Sequence, residues 1–252
     1  MLKLYIGNKN YSSWSMRPWV LLKQAGIAFE EVKLRFDSFG PDSQFKQAIQ
    51  VVSPAGRVPV LVDDGFAVWE SLAIAEYVAE KFPEKNLWPR DAKARARARS
   101  VCAEMHSGFA ALRSHCPMNI EASLPEIGRL VWRDQAGVRT DLQRLVAMWT
   151  ALLEQSGGTV STAGPSQGAK APSGGSETKS SVGAFLFGEF SIADACFAPV
   201  CMRLTTYALP VPPPIMAYIE RVCALPGVQA WVADALAEKD FLDFDEPYRV
   251  AP

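Results

Sequence analysis

The sequence is poor in metal ligands and has no excess of either charge. Only two histidines, His106 and His115, occur in 252 residues, which argues against a His-rich metal site. Lys and Arg total 26 against 27 for Asp and Glu, so the net charge is -1, whereas nucleic-acid binders normally carry a basic excess. We therefore expect no metal and no nucleic-acid partner.

Cysteines and long apolar runs are also scarce. The cysteines number five, and no two of them have the spacing of a zinc or redox motif. No apolar run approaches the roughly 18 residues that span a bilayer. The segment Met1–Gly7 lacks the apolar core of a signal peptide. These absences predict a cytoplasmic protein without a membrane partner.

The first 85 residues alternate between strand and helix patterns. Leu2, Leu4 and Ile6 alternate with less apolar neighbours, and Asp63-Asp64-Gly65 is a typical hairpin turn between two short apolar runs. The expected elements are a strand at 2–6, a helix at 15–25, strands at 29–34, 58–62 and 66–69, and a helix at 71–81. This order predicts an α/β domain.

Strand patterns disappear after residues 86–90, which we interpret as a linker. Helical spacing follows over 91–115, 125–155, 191–208, 214–224 and 227–238. Residues 157–183 are instead dominated by Gly, Ser, Thr, Ala and Pro and contain no aromatic residue. Such a segment cannot bury enough apolar surface to offset its ordering entropy, so we expect a flexible insertion. The prediction is an α/β domain at 1–85 and an all-α domain at 91–252.

A run of hydroxyl groups, Tyr11-Ser12-Ser13-Trp14-Ser15, stands between the first strand and the first helix. The N-terminus of a helix favours an anion such as a thiolate because its N–H groups are unpaired. A serine hydroxyl there could donate a hydrogen bond to the sulfur. The alternative is a serine that only caps the helix.

Two further patterns suit a peptide-like ligand. In Arg57-Val58-Pro59, a cis Val58–Pro59 bond would turn the main chain of Val58 outward; the alternative is an ordinary trans proline on an edge strand. In Glu70-Ser71, Ser71 and the N–H groups after it could hold a carboxylate, or Ser71 could simply be the cap of the next helix.

Taken in this order, the three patterns resemble those of glutathione transferases. The resemblance extends through the second half, where Phe187–Asp194 is similar to the family's helix-start motif. Ser191 and Asp194 would form a capping box there. The resemblance implies a thioredoxin-like N-terminal domain, an all-α helical C-terminal domain and a homodimer.

The site residues that the resemblance implies lie mostly in the first half. The serine-type classes, zeta and tau, place the catalytic serine five residues before an arginine, which is Ser12 before Arg17, with Ser13 the second candidate. Trp14 stands where zeta proteins have a cysteine, which weakens the similarity to maleylacetoacetate isomerases. The resemblance also implies glutathione contacts for Arg57, Val58, Pro59, Glu70 and Ser71.

The second substrate is less well specified. His106 and Arg113 are seven residues apart with Phe109 between them, hence on one helix face between the domains. They are either an electrophile pocket or interface residues. The leading function is a transferase that joins glutathione, its cosubstrate, to a small electrophile without a metal. The alternatives are a glutathione-dependent isomerase and a non-catalytic binding module.

Overall fold

The computed structural model describes residues 1–157 and 185–250. Its N-terminal part is a mixed four-stranded sheet in the order β2-β1-β3-β4, built from β1 (Leu2–Ile6), β2 (Glu30–Lys33), β3 (Val60–Asp63) and β4 (Phe66–Trp69). β2 is parallel to β1, whereas β3 and β4 are antiparallel to their neighbours. The α/β N-terminal domain expected from the sequence is confirmed.

Three helices accompany the sheet: α1 (Ser13–Gln24), α2 (Gln44–Gln50) and α3 (Ser71–Lys81). The strand and helix patterns did not predict α2. Ser43 starts this helix because its hydroxyl accepts the N–H of Lys46, and the helix buries only Phe45 and Ile49. Helix α3 and strand β4 begin and end at the expected residues.

The C-terminal part is helical, with two short 3₁₀ turns at Pro83–Lys85 and Asp243–Asp245 flanking it. The helices are α4 (Ala92–Ser107), α5 (Ala110–His115), α6 (Pro125–Asp134), α7 (Ala136–Gly157), α8 (Ile192–Thr206), α9 (Pro213–Cys223) and α10 (Pro226–Glu238). The predicted insertion lies outside the described residues, apart from Gly157 at the end of α7. Neither described range contains a helix long and apolar enough to cross a membrane.

The helix expected over 91–115 is broken into α4 and α5. Gly108 ends α4, and a Cβ there would stand 2.7 Å from the carbonyl oxygen of Glu104. Phe109 follows with a positive φ of 54° and starts α5. The break turns α5 away from α4, so that Arg113 reaches back with its Nη1 to the carbonyl of His106.

Helix α1 joins the two parts of the fold. It packs against both α8 and α10, and its apolar residues belong to one core that continues into the helices of the C-terminal part. The chain after α10 returns to the start of α1, where Glu246 accepts the hydroxyl of Tyr11 at 2.7 Å and the amide of Asn119 at 2.8 Å. The N-terminus of α1 is therefore held from three sides.

Candidate active site

The N-terminus of α1 carries a linked pair of serine hydroxyls. Ser12 is the N-cap residue but makes no side-chain cap bond. Its hydroxyl instead donates to Oγ of Ser15 at 2.7 Å, and Ser15 also accepts the N–H of Gly7 at 3.2 Å. Since a hydroxyl both donates and accepts, this pair can reverse and leave the proton of Ser12 free for a ligand.

Ser13 has a different hydrogen-bond partner from Ser12. Its Oγ accepts a hydrogen bond at 3.1 Å from Nη2 of Arg203, on α8. Ser13 is therefore bound to the C-terminal part, while Ser12 lines a cavity beside it with no bond to α8. The two candidate serines have distinct surroundings, although both lie on the cavity wall.

The Val58–Pro59 peptide bond is cis, as expected from the sequence. Val58 is half-buried and lies just before β3, and no described residue pairs with its main-chain N–H or C=O. Arg57 is exposed and has no ion-pair partner in the described part of the chain. This turn therefore offers one free main-chain donor, one free acceptor and a cation.

Glu70 and Ser71 open α3. Glu70 has a φ of 69°, a left-handed value that non-glycine residues rarely adopt and that is common at ligand sites. Ser71 is 4% exposed, and its Oγ is buried without a hydrogen-bond partner. An unpaired buried hydroxyl is costly unless a ligand completes it.

Two arginines, Arg113 on α5 and Arg203 on α8, line the cleft, whereas Arg17 on α1 is buried beside the ring of Trp14 and lines neither of the cavities described below. Arg17 donates to the carbonyl of Cys196 at 2.8 Å, Arg113 to that of His106 at 3.2 Å, and Arg203 to that of Cys116. No carboxylate of the described residues pairs with any of the three. Burial, reinforced by the charge of Arg17, lowers the pKa of Arg203 to about 10.

The ring of Trp14 contacts Arg17, Arg113 and His106. The Arg17 guanidinium lies 4.2 Å from its ring centroid, and the ring of His106 packs edge-on at 5.0 Å. Nε2 of His106 is 3.6 Å from Glu70, while its Nδ1 is buried without a partner. Phe109 instead lies in the hydrophobic core and lines neither of the two cavities described next.

The site residues line two adjoining cavities that share Trp14, Arg57 and Val58. The arginine-side cavity, of about 500 Å³, is also lined by Ala55, Pro59, Trp69, Glu70, Ser71, His106, Arg113 and Arg203. The serine-side cavity, of about 410 Å³, is lined by Tyr11, Ser12, Ser13, Phe36, Phe39, Phe45, Lys46 and Asp245. Together they form one cleft with a polar and an aromatic half.

Sequence reasoning missed three charged residues of this cleft, Lys46, Arg203 and Asp245. Arg203 is the sole basic residue in the apolar helix α8. This pattern could have indicated a functional residue, because charged side chains are rarely buried unless they are paired. Asp245 lies in a short 3₁₀ turn near the C-terminus. It had no detectable pattern, since only the folded chain brings it to Ser12.

Models of the N-terminal and C-terminal domains of glutathione S-transferases match residues 11–81 and 92–234, respectively. The chain belongs to the glutathione S-transferase family. A structure of a glutathione transferase homologue from Burkholderia, with bound glutathione, superposes with a TM-score of 0.63 at 26% identity. That comparison covers 94% of this transferase-family chain and 99% of the Burkholderia chain.

Two of the curated relatives are named maleylacetoacetate isomerases. The rat protein is 30% identical over 133 residues, or 53% of this chain and 59% of its own length. The Pseudomonas aeruginosa protein is 30% identical over 155 residues, or 61% of this chain and 68% of its own length. The chain thus spans about half to two thirds of the curated relatives it matches.

Metal ligands are not grouped in the described part of this family member. Across residues 1–157 and 185–250, no three His, Cys, Asp or Glu side chains are placed to hold a metal ion. The five cysteines lie in the same ranges and are all free thiols.

Proposed function

We propose that this protein binds glutathione in the cleft, stabilises its thiolate with Ser12 and joins it to an electrophile. The observation that carries the proposal is the row of unused hydrogen-bonding groups along the cleft. These groups are the main chain of Val58, the buried Oγ of Ser71 and the reversible hydroxyl of Ser12. A peptide-like ligand with two carboxylates would complete them, because each end meets donors or cations.

The ends of glutathione fit opposite parts of the cleft. Its γ-glutamyl carboxylate suits Ser71 at the start of α3, where the helix N-terminus adds further N–H donors. Its amino group suits the carboxylate of Glu70, and the cysteinyl main chain suits Val58. The glycyl carboxylate suits Arg57, which lines both cavities. The sulfur then lies towards Ser12.

Thiolate formation is the chemical step that the site must favour. A free thiol has a pKa near 8.5, so only a few per cent is ionised at neutral pH. Lowering that pKa by about two units needs about 2.7 kcal/mol of preferential thiolate stabilisation. One hydrogen bond to a charged sulfur contributes about 1.5–3 kcal/mol, and a helix N-terminus adds to it. No covalent bond to the protein is required.

Binding is tested by titrating glutathione into the protein and its Ser71→Ala variant. We expect the dissociation constant to rise about 10- to 100-fold, because a hydrogen bond to a carboxylate is lost. Ser100→Ala, which changes an exposed serine on α4, is the matched control and should bind as the wild type does. Failure of the wild type to bind, or equal affinity in all three proteins, would contradict the proposal.

An isomerase is the second candidate function. The observation that favours it is the pair Arg113 and Arg203, which line the arginine-side cavity without acidic partners among the described residues, since such a wall suits a substrate that carries carboxylates. Maleylacetoacetate, named in the relatives from rat and Pseudomonas aeruginosa, is such a substrate. In an isomerase the thiolate would add to a double bond and leave again, so glutathione would be recovered unchanged.

The arginine wall gives a test of substrate charge. Arg113→Gln should lower kcat/KM for a chloronitrobenzoate about 10-fold or more, since a hydrogen-bonded charge pair is lost. The methyl ester of the same compound should be affected little. Arg97→Gln, an exposed position on α4, is the control. If acid and ester responded equally, the arginines would not select for charge, and turnover of maleylacetoacetate would then decide for or against the isomerase.

Several expectations from the sequence and from the family resemblance stay predictions. They are a homodimer, a cytoplasmic location, the domain limits at 1–85 and 91–252, and the assignment of His106, Phe109 and Arg113 to an electrophile pocket. Glutathione binding without turnover of any electrophile would favour the non-catalytic module.

A further inference from the structure

The serine-side cavity contains one carboxyl group that forms no hydrogen bond or ion pair with the residues that the structure describes. Asp245 lines this cavity with Ser12 and Ser13 and is the sole acid among its lining residues. Within the described ranges, its side chain forms no hydrogen bond and no ion pair. The carboxyl is therefore available to a ligand.

The turn that carries Asp245 is fixed on both sides. Before it, Leu242 is buried and its N–H donates to the Tyr11 hydroxyl at 3.3 Å. After it, Glu246 accepts from Tyr11 at 2.7 Å and from Asn119 at 2.8 Å. Tyr11 directly precedes Ser12 in the chain, so the same anchors hold Asp245 beside the candidate thiol-activating serine.

Charged groups of both signs surround the Asp245 carboxyl. Partial burial, and next the charge of Glu246, raises the pKa of the Asp245 carboxyl to about 6. Glu246 is itself paired with Arg249. Two cations, Lys46 and Arg57, line the same cavity. Asp243, in the same turn, is exposed. A carboxyl with this pKa can both take up and release a proton near neutral pH.

We propose that Asp245 is the acid–base group of this site: it accepts the thiol proton of glutathione and returns it to the electrophile. The inference rests on the proposed function, because it needs glutathione in the cleft. Ser12 cannot fill this role, since a neutral hydroxyl stabilises a thiolate by donating and does not remove the proton.

Addition to an unsaturated carbonyl compound requires Asp245 both to accept a proton and to donate it again. First the S–H bond breaks, its proton forms an O–H bond on Asp245, and the electron pair stays on sulfur. The sulfur then bonds to the β-carbon, and the pair of the C=C bond moves towards the carbonyl oxygen to give an enolate. The α-carbon of the enolate finally takes the proton from Asp245, which returns to its carboxylate form.

Aromatic substitution starts from the same thiolate, which can also form by loss of the thiol proton to solvent, but it needs no proton returned to carbon. When the thiolate displaces chloride from a chloronitroarene, chloride leaves with its electron pair and no carbon is protonated. The two reactions therefore separate the proposed role from a general effect on the site. Asp245→Asn keeps the shape of the side chain but removes the titrating group.

The experiment compares a conjugated enone with a chloronitroarene at neutral pH. In Asp245→Asn we expect enone addition to fall about 100-fold, in the usual range for a lost general acid, while aromatic substitution stays within about threefold. The acidic group that titrates near the Asp245 pKa should also disappear from the pH profile of enone addition. Asp243→Asn is the matched control and should change neither reaction. Equal losses in both reactions, or none, would overturn the inference.

Counting the protons released when glutathione binds tests proton acceptance by Asp245 without any electrophile. Calorimetry in buffers of different ionisation enthalpy gives the number of protons released. At neutral pH the wild type should release fewer protons than Asp245→Asn, because Asp245 retains part of them. Equal counts would overturn the inference. Absence of glutathione binding or of aromatic substitution in the wild type would instead overturn the proposed function, and with it the basis of the inference.

Discussion

Replacing Asp194 with alanine should lower the free energy of unfolding by at least about 3 kcal/mol. The carboxylate of Asp194 is fully buried and accepts from the N–H of Leu186 at 3.2 Å, the N–H of Ser191 at 2.9 Å and the hydroxyl of Tyr218 at 3.0 Å. Alanine would leave these buried donors unpaired, and each one costs about 1–3 kcal/mol. Urea unfolding followed by circular dichroism measures the loss.

The controls for Asp194 remove only part of the contacts around it. Ser191→Ala removes the cap hydroxyl, which accepts from Ala193, and should cost about 1 kcal/mol. Tyr218→Phe removes one donor and leaves the carboxylate with its other partners, so its effect should also be about 1 kcal/mol. An Asp194→Ala variant no less stable than these two would contradict the role assigned to the buried carboxylate.

The elements that the sequence predicted correctly are those with strong local signals. Strand β4 and helix α3 were expected at their observed limits because Asp63-Asp64-Gly65 marks the turn before them. In the structure Asp64 and Gly65 have φ values of 47° and 91°, the left-handed conformation that this turn requires. The capping box of Ser191 and Asp194 is likewise present, as the motif predicted.

The elements that the sequence did not predict lack a local signal. Helix α2 is only seven residues long and buries two side chains, which is too few to show a helical period. The break at Gly108 and Phe109 interrupts a continuous helical pattern, because a single glycine in such a pattern is usually tolerated. In the folded chain α5 packs against α7, a contact that the local sequence does not indicate.

The site residues likewise fall into two groups, those with a local sequence signal and those without one. Val58, Glu70 and Ser71 belong to short motifs with an order along the chain, so the sequence alone is enough to single them out. Arg203 and Asp245 reach the cleft from α8 and from the C-terminal turn, 190 residues after Ser13 in the case of Arg203. No spacing rule connects positions so far apart. Their roles could be inferred only from the folded chain.

Replacing Ser12 with alanine should raise the pKa of the bound glutathione thiol by about one to two units, because one hydrogen bond to the thiolate is lost. Conjugation of a chloronitroarene at neutral pH should fall about 10- to 100-fold as the thiolate fraction falls. The affinity for glutathione should change little, since Val58, Glu70 and Ser71 remain in place. Thiolate absorbance of bound glutathione, measured across pH, tests this directly.

The hydrogen bond between Ser12 and Ser15 supports Ser12, rather than Ser13, as the residue that activates the thiol. When Ser12 turns its proton to the sulfur, its oxygen can accept from Ser15, which polarises the Ser12 hydroxyl. Ser13 is held by Arg203, so Ser13→Ala should leave the pH profile of conjugation unchanged. Activity of Ser12→Ala should recover at high pH, where the thiol ionises unaided. If Ser13→Ala alone shifted the profile, Ser13 would be the activating residue; if neither variant did, activation by serine would be wrong.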